Sequence, residues 1–371
     1  VHILHINSYY STTPLYQNLY DRQVASGMDL DVYVPIAKEF PKDRLAAKGD
    51  YCQIVEAFHQ ADRYVFHLKH YKIWKDLKRR YAFDQFDLVH AHSLFSNGWL
   101  AHKVYLTHHI PYIVAVRSAD IRTFFQKMPW LRKLGLQILA DAEQVVFISE
   151  NSRQEVFAKY IPQSMQDELA AKTQVIANGI DDYWHANRYT DKTAEVHQPL
   201  RFVCTAKLLK EKQIPKLIRL VDYYHHNAQE AELHLIGPAW DESILAQVKD
   251  HPLVNYHGPK DQDGMRDLYR QMDIFTLVSS RETFGLVYVE AMSQGLPVIY
   301  TKGEGFDSYY PNYEVGASLN PDRPEDFVRD VQVILADYPG FCQRALDHSK
   351  DFSWDKISER YGQLYQKVLK A

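Results

Sequence analysis

Short apolar runs of strand length alternate along the chain with longer stretches whose apolar residues recur every three or four positions. His2–Ile6, Asp31–Pro35, Leu88–Ala91, Tyr112–Val116 and Gln144–Ile148 read as strands in the first half. Leu200–Thr205, Glu232–Ile236, Val254–His257, Ile274–Val278 and Pro297–Tyr300 do so in the second. Stretches such as Ile214–Tyr224 and Glu242–Lys249 carry the helical spacing. This alternation predicts βαβ units, and so α/β domains with parallel sheets covered by helices on both faces. Asp181–Pro199 is polar, lacks a period and precedes a fresh strand, so it reads as a connection between two doubly wound domains of similar size. Trp354–Leu369 has the pattern of a final helix with Ser353 as its N-cap. No solenoid repeat and no low-complexity tract interrupts this order.

A length of 371 residues agrees with two domains at roughly 150 residues each. With 46% hydrophobic and 24% charged residues the chain has enough apolar surface for a packed core and is not of the disordered class. A net charge of −4 gives no global case for nucleic acid or membrane binding, so any such contact must be local. Cys52, Cys204 and Cys342 form neither a CxxC pair nor a disulfide framework, which favours a reducing, cytoplasmic setting. No apolar run approaches the roughly 20 residues that span a bilayer. The opening run Val1–Ile6 is strand-like and does not resemble a secretory signal.

The segment from Asp273 to Tyr300 reads strand, polar loop, helix, glycine cap at Gly295, strand. In a parallel sheet, a loop that leaves a strand and enters a helix lines the ligand crevice. A helix starting near Phe284–Leu286 offers free N–H groups and a positive dipole end, suited to a diphosphate. Gly285 lets a ligand approach the main chain. Glu290, ~7.5 Å further along the axis, leans back toward that N-terminus and could accept from ribose hydroxyls. Glu282, in the loop before the helix, would sit nearer the transferred sugar. Either acid alone reads as an ordinary solvated carboxylate; together, against a glycine-opened helix, they point to a phosphate-containing ligand.

The spacing Glu282-x-Phe284-Gly285-x4-Glu290-Ala-Met-x2-Gly295-x-Pro297-Val resembles the acidic motif of the retaining glycosyltransferases of family 4. Ile176-Ala-Asn-Gly-Ile-Asp181, Leu235-Ile-Gly237-Pro238 and Phe352-Ser-Trp354 resemble further landmarks of that family. The resemblance implies the GT-B architecture: two Rossmann-like domains facing a central cleft, with a C-terminal helix crossing back to the first. It places an acceptor-side domain at 1–185, a nucleotide-sugar domain at 186–352 and the returning helix at 353–371. It also implies that Thr283, Phe284, Gly285, Leu286, Gly237 and Glu290 line the donor, with Glu282 at the sugar. Lys212 matches the family's lysine over the diphosphate. Lys207 stands where the family has arginine, which keeps charge but loses the bidentate fork. Solvated lysines at a strand end are the plain alternative. No metal and no cofactor are expected, since cations facing the leaving diphosphate stabilise the charge that develops there. Same-face attack through an oxocarbenium-like transition state, with domain closure over the donor, is the expected course.

The first half departs from the pattern. Its first loop, Asn7-Ser-Tyr-Tyr-Ser11-Thr12-Thr13-Pro14, lacks the family's paired glycines, and a hydroxyl of Ser11, Thr12 or Thr13 is expected to serve instead. Val116-Arg117-Ser-Ala-Asp120 replaces a His-Gly-x-Asp turn, so Arg117 takes the place beside the reacting sugar and Asp120 stays with the donor set. His90 and His92 match a His-x-His strand end but read equally as packing histidines, with no sign of metal ligation. Lys69–Tyr81 and Lys127–Lys133 are basic with interleaved aromatics. Each reads either as a solvated helix face over an apolar stripe or as a contact for an anionic membrane on the inner face of the cell.

The expected function is transfer of a hexose-type sugar from a nucleotide-diphosphate sugar, UDP by the family's habit, to a glycan or lipid-linked acceptor. A non-hydrolysing sugar-nucleotide epimerase and a non-catalytic sugar-nucleotide-binding subunit are the alternatives. A nicotinamide-binding fold is disfavoured because no GxGxxG follows the first strand, and no motif reads nucleic acid.

Overall fold

The computed structural model describes residues 1–192 and 195–370. They form two compact units: Val1–Ile148 with Ser152–Ala177 and Trp354 onward, and Ser149–Asn151 with Asn178–Ser353. The division after Ala177 lies ahead of the polar stretch expected to mark it. Part of that stretch, Asp182–Ala186, is a short helix capped by the Asp181 carboxylate, which accepts from the Tyr183 N–H at 2.9 Å. Residues 193 and 194 of the expected connection lie outside the described residues.

The first unit holds seven parallel strands: β1 (His2–Ile6), β2 (Asp29–Ala37), β3 (Cys52–Phe58), β4 (Leu88–Ala91), β5 (Tyr112–Val116), β6 (Gln144–Phe147) and β7 (Thr173–Val175). Their order is β3-β2-β1-β4-β5-β6-β7. The second unit holds β8 (Leu200–Thr205), β9 (Ala231–Ile236), β10 (Val254–Tyr256), β11 (Ile274–Leu277), β12 (Val298–Thr301) and β13 (Gly316–Leu319), in the order β10-β9-β8-β11-β12-β13. Ten of these strands match the expected runs within a few residues. The three that the pattern does not announce, β3, β7 and β13, are all edge strands. Strand order reverses between β1 and β4 in one sheet and between β8 and β11 in the other. In open parallel sheets the ligand crevice lies at the carboxyl ends of the strands at such a reversal.

Helix Trp354–Lys370 belongs to the first unit and packs on helix Leu15–Ala25. Its apolar face (Ile357, Tyr361, Leu364, Tyr365, Val368) joins the same core as Ile3, Val32 and Leu88. The polar side of the contact is also specific. Gln23 Nε2 donates to the Tyr365 hydroxyl at 3.0 Å, and His90 Nδ1 lies 2.8 Å from the same oxygen.

His90 is one of three enclosed imidazoles. The β1–β4 register sets His5 beside His90, and His92 follows one pleat on. His5 Nδ1 and His92 Nε2 are 3.0 Å apart, and Tyr20 Oη is 3.2 Å from the latter. Burial lowers all three pKa values, that of His5 to about 3. They pack as neutral rings within the first unit's core.

Candidate functional site

The elements expected to hold the donor meet at the β8/β11 reversal of the second unit. β8 runs out through Ala206 and Lys207 into the turn Lys210–Lys212, and β11 runs out into the loop before helix Leu286–Met292. The Glu211 carbonyl accepts from the Ser280 N–H at 2.8 Å and from the Ser279 and Ser280 hydroxyls at 3.2 Å, which ties these exits together. On this frame Lys212 Nζ donates to Glu282 Oε2 at 2.6 Å. The pair is partly enclosed, with side chains 23% and 13% exposed. Two residues assigned separately from sequence thus form one charge pair.

A third loop, which sequence reasoning missed, completes the frame. Beyond β12, Glu304 accepts from the Glu282 N–H at 2.7 Å and the Gly305 N–H donates to the Glu282 carbonyl at 3.0 Å. Asn151 Nδ2 donates to the carbonyls of Glu304 and Asp307 at 2.6 and 2.8 Å. A β-carbon on Gly305 would lie 2.1 Å from the Thr283 carbonyl oxygen. The Gly-Glu-Gly spacing after a strand was the available signal. Gly305→Ala is expected to push the Glu282–Phe284 loop outward and raise the donor KM about tenfold or more, an effect of misplacement rather than lost chemistry. Steady-state kinetics with a soluble donor check it.

Gly285 precedes the helix at φ 86°, ψ 68°, and a β-carbon there would sit 2.5 Å from the Tyr288 ring. Its absence of side chain is therefore a conformational need of the loop. Phe284 packs its ring against Phe306, Tyr309 and Phe352, which leaves its main chain for the expected N–H role at the helix start. Thr283 and Leu286 stay partly exposed beside it. Gly237 is required by packing: a β-carbon would come within 2.1 Å of the Ala206 carbonyl oxygen, at φ 137°. Lys207 is exposed, its ammonium 4.2 Å from the Trp240 ring centroid.

Glu290 rises from the helix into a partly enclosed position. Burial, with a smaller push from the Asp181 carboxylate, raises its pKa to about 7. Among the described residues no donor reaches its carboxylate, so its lone pairs are available to a ligand. The Asn-Gly-Ile-Asp181 turn thus acts on Glu290, a link that sequence spacing does not reveal.

In the first unit, Arg117 follows β5 and is buried. Its Nε donates to the His92 carbonyl at 3.3 Å, and its guanidinium lies 6.0 Å from the Tyr16 ring centroid. Asp120 corrects an expectation. Its carboxylate is fully enclosed and accepts from the N–H groups of Leu94 and Phe95, both at 3.0 Å, and of Arg117 at 2.8 Å. Burial still raises its pKa to about 6. Asp120 therefore joins the β4 and β5 exits and has no face for a donor. Ser11 is buried with its hydroxyl donating to the Ser8 carbonyl at 2.8 Å, and Thr12 is exposed; both line a cavity of this unit. The one group of described residues with metal-ligand spacing is His5, His90 and His92, whose ligand atoms lie within 4.8 Å of one another. Two of these rings are within hydrogen-bond distance of each other, and tyrosine hydroxyls reach the cluster from two helices.

Comparison with known proteins gives the same frame. Residues 186–350 match the model of the glycosyl transferases group 1, and residues 15–183 that of glycosyltransferase family 4. A D-inositol 3-phosphate glycosyltransferase of Corynebacterium kroppenstedtii is 23% identical over 314 residues, covering 77% of this chain and 68% of that protein. The sucrose-phosphate synthase of Thermosynechococcus elongatus superposes with a TM-score of 0.74 at 19% identity, over 100% of this chain and 99% of the other. The Anabaena protein HepE, solved with UDP and glucose, does so at 0.66 and 15% identity, over 99% of both chains. With a glycosyltransferase model matched in each half and both parallel sheets in place, the chain belongs to the group 1 and family 4 glycosyltransferases and has the GT-B fold.

Proposed function

We propose that the chain moves a hexose from a nucleotide-diphosphate sugar, UDP-linked by preference, to a glycan or lipid-linked acceptor in cell-surface polysaccharide or glycolipid synthesis, with retention at the anomeric carbon. The Lys212–Glu282 pair at the β8/β11 reversal carries this reading. An entering diphosphate competes for the Lys212 ammonium. Glu282, released from its partner, then accepts from sugar hydroxyls. Lys207 adds a second positive charge, and the main-chain N–H groups around Leu286 complete the diphosphate's surroundings. Glu290 accepts from the ribose hydroxyls. The cations perform the charge stabilisation for which other transferases use a divalent metal, so the reaction is proposed to need none. The anomeric bond breaks toward the diphosphate, and the acceptor oxygen attacks on the same face, its proton passing to the leaving phosphate oxygen.

Incubation with a UDP-hexose and candidate acceptors tests the reading. Transfer releases UDP in step with product, whereas an epimerase yields a new sugar nucleotide with no accumulation of UDP. A binding subunit yields neither.

Glu290 supplies a pH test. Its group loses a proton through about pH 7, and the carboxylate offers more lone pairs to ribose hydroxyls than the acid does. Donor affinity is thus expected to strengthen several-fold from pH 6 to pH 8. In Glu290→Gln it should be weaker and flat. Calorimetry with an intact UDP-sugar, whose diphosphate does not titrate in this range, reads the difference; a profile unchanged by the substitution contradicts the ribose role.

Peripheral association with an anionic membrane is part of the same proposal. Helix Phe66–Arg80 buries His70, Ile73, Trp74 and Leu77, as an apolar stripe should. Yet Tyr64 and Tyr71 remain 92% and 60% exposed, with Val65 and Leu68 between them and Lys75, Lys78 and Arg79 on the same helix. Trp130, within the second basic stretch, is 71% exposed. Aromatic and basic side chains exposed together suit an anionic interface.

A further inference from the structure

The β1/β4 reversal of the first sheet also opens onto a cavity, of about 220 Å³, wholly within the first unit. Its floor is the exit of β1 (Ser8, Tyr9, Ser11, Thr12), and Ser96 and Asn97 come from the loop after β4. Pro35 and Ile36 of β2 and Phe58 of β3 form one wall, and Arg63, Lys69 and His70 the other. This is the position where open parallel sheets bind ligands, and a space of this size takes one sugar-sized group rather than a nucleotide.

The charge lining it is one-sided. Arg63 and Lys69 both face the cavity, and among the described residues no carboxylate lines it. The acids nearest in sequence are committed elsewhere. Asp62 accepts from Lys72 Nζ at 2.7 and 2.8 Å, and Glu39 accepts from the Gln60 N–H at 2.8 Å and lies 2.7 Å from His59 Nδ1. Lys69 keeps its ammonium 4.9 Å from the Phe58 ring centroid, with no carboxylate partner among the described residues. Its pKa is lowered to about 8, first by burial and then by the charge of Arg63. Lys69 is partly enclosed and Arg63 exposed at the cavity, and their mutual repulsion without a counter-charge is relieved when an anion binds between them.

A third donor is unengaged. Asn97 is buried, and its Oδ1 accepts from the Ser8 N–H at 3.3 Å, which fixes the amide's orientation. Its Nδ2 has no acceptor among the described residues. A buried amide N–H₂ without a partner is uncommon in a native fold and calls for a ligand or water.

We propose that this cavity binds a phosphate group carried by the acceptor substrate, through Lys69, Arg63 and Asn97. The proposal rests on the chain being a sugar transferase, and names the class of acceptor that the first unit selects. A phosphate monoester offers the several anionic oxygens that three separate donors require, and a neutral glycan does not. The phosphate can belong to a soluble sugar phosphate or to a lipid headgroup.

Binding of glucose 6-phosphate, glucose and UDP to the full chain, measured by calorimetry with Lys69→Gln and Arg63→Gln as variants, tests this. Glucose 6-phosphate is expected to bind at least tenfold tighter than glucose, and each substitution to weaken it at least tenfold while leaving UDP binding unchanged. Flotation with phosphatidic acid vesicles against phosphatidylglycerol vesicles, equally anionic but without a phosphate monoester, separates the sources. Binding to the soluble ester assigns a soluble acceptor. Binding to phosphatidic acid in preference to phosphatidylglycerol, lost in Arg63→Gln as well as in Lys69→Gln, assigns a lipid phosphate. If neither phosphate binds, or both bind equally to the variants, the proposal is wrong while intact UDP binding leaves the transferase reading standing. If the substitutions abolish UDP binding, the cavity belongs to the donor and the proposal is also wrong. Failure of wild-type protein to bind UDP, with phosphate bound normally, would instead remove the donor reading alone.

Discussion

Lys212→Ala is expected to lower sugar transfer about 10²–10³-fold, the size seen when one preorganised donor to a developing negative charge is removed. The reason is the position of Lys212. It sits in the turn after β8, tied by the Glu211 carbonyl to the loop after β11, so its ammonium is fixed before the donor arrives. Its counter-charge among the described residues is Glu282, which is proposed to accept from the sugar. The substitution therefore removes charge from the leaving group and leaves a partly buried Glu282 without its partner. Glu282→Ala should also be severely impaired. The double variant should be less impaired than the product of the two single effects, because each single change already breaks the shared pair. Lys212→Arg keeps the charge and should recover part of the rate. Turnover numbers, with far-UV circular dichroism confirming the fold, decide the matter; near-normal rates in the alanine variants would refute the assignment.

Acid is expected to unfold the first unit well before its carboxylates titrate in the usual range. His5 and His70 have pKa values lowered to about 3 by burial, and those of His90 and His92 fall well below 6.5. The unfolded chain therefore takes up protons near pH 6.5 that the folded unit refuses, and stability present above that pH is lost as pH falls. Asp120 acts in the opposite sense. Its folded value of about 6 exceeds the ordinary 3.8, so below pH 6 the folded state gains one proton that the unfolded state does not yet hold. His5 and His70 against Asp120 leave a net loss of about 3 kcal/mol between pH 7.5 and pH 5, and His90 and His92 act in the same direction, a large share of a domain's stability. Urea unfolding at pH 7.5, 6 and 5 should show midpoints that fall steeply. His5→Gln should reduce the slope by up to about 1.4 kcal/mol per pH unit. A midpoint constant down to pH 5 would show that these imidazoles ionise in place.

The two predictions differ in how far sequence alone could have reached them. The motif from Glu282 to Gly295 is contiguous, and strand, loop and helix follow one another, so period and spacing suffice to place it. The partnership of Lys212 with Glu282 spans 70 positions and depends on β8 lying beside β11, which is a fact of sheet order. The histidines show the same boundary. His90 and His92 stood out as a strand-end pair, but His5 joins them only through the β1–β4 register.

The misreadings have physical causes too. A carboxylate at a strand end, such as Asp120, has the same sequence signature whether it meets a ligand or ties down main-chain N–H groups; only its enclosure separates the two. Gly237 and Gly285 are required by backbone packing and left-handed geometry, a need that the sequence does not show and that leaves their expected place beside the donor standing. The missed strands β3, β7 and β13 sit at sheet edges, where a strand buries less and need not be an unbroken apolar run. The β13 run Gly316-Ala-Ser-Leu319 consists mainly of small residues.

The sequence by itself determined the alternation of strand and helix, the two doubly wound halves and the acidic donor motif, because each is written in local periodicity or in contiguous spacing. Tertiary structure alone decided which charges meet. It joined Lys212 to Glu282, brought Asp181 to Glu290 and left Lys69 and Arg63 facing one cavity without an acid. Charge pairing depends on distance and enclosure, and both are set by strand order across tens of residues, which no local pattern encodes.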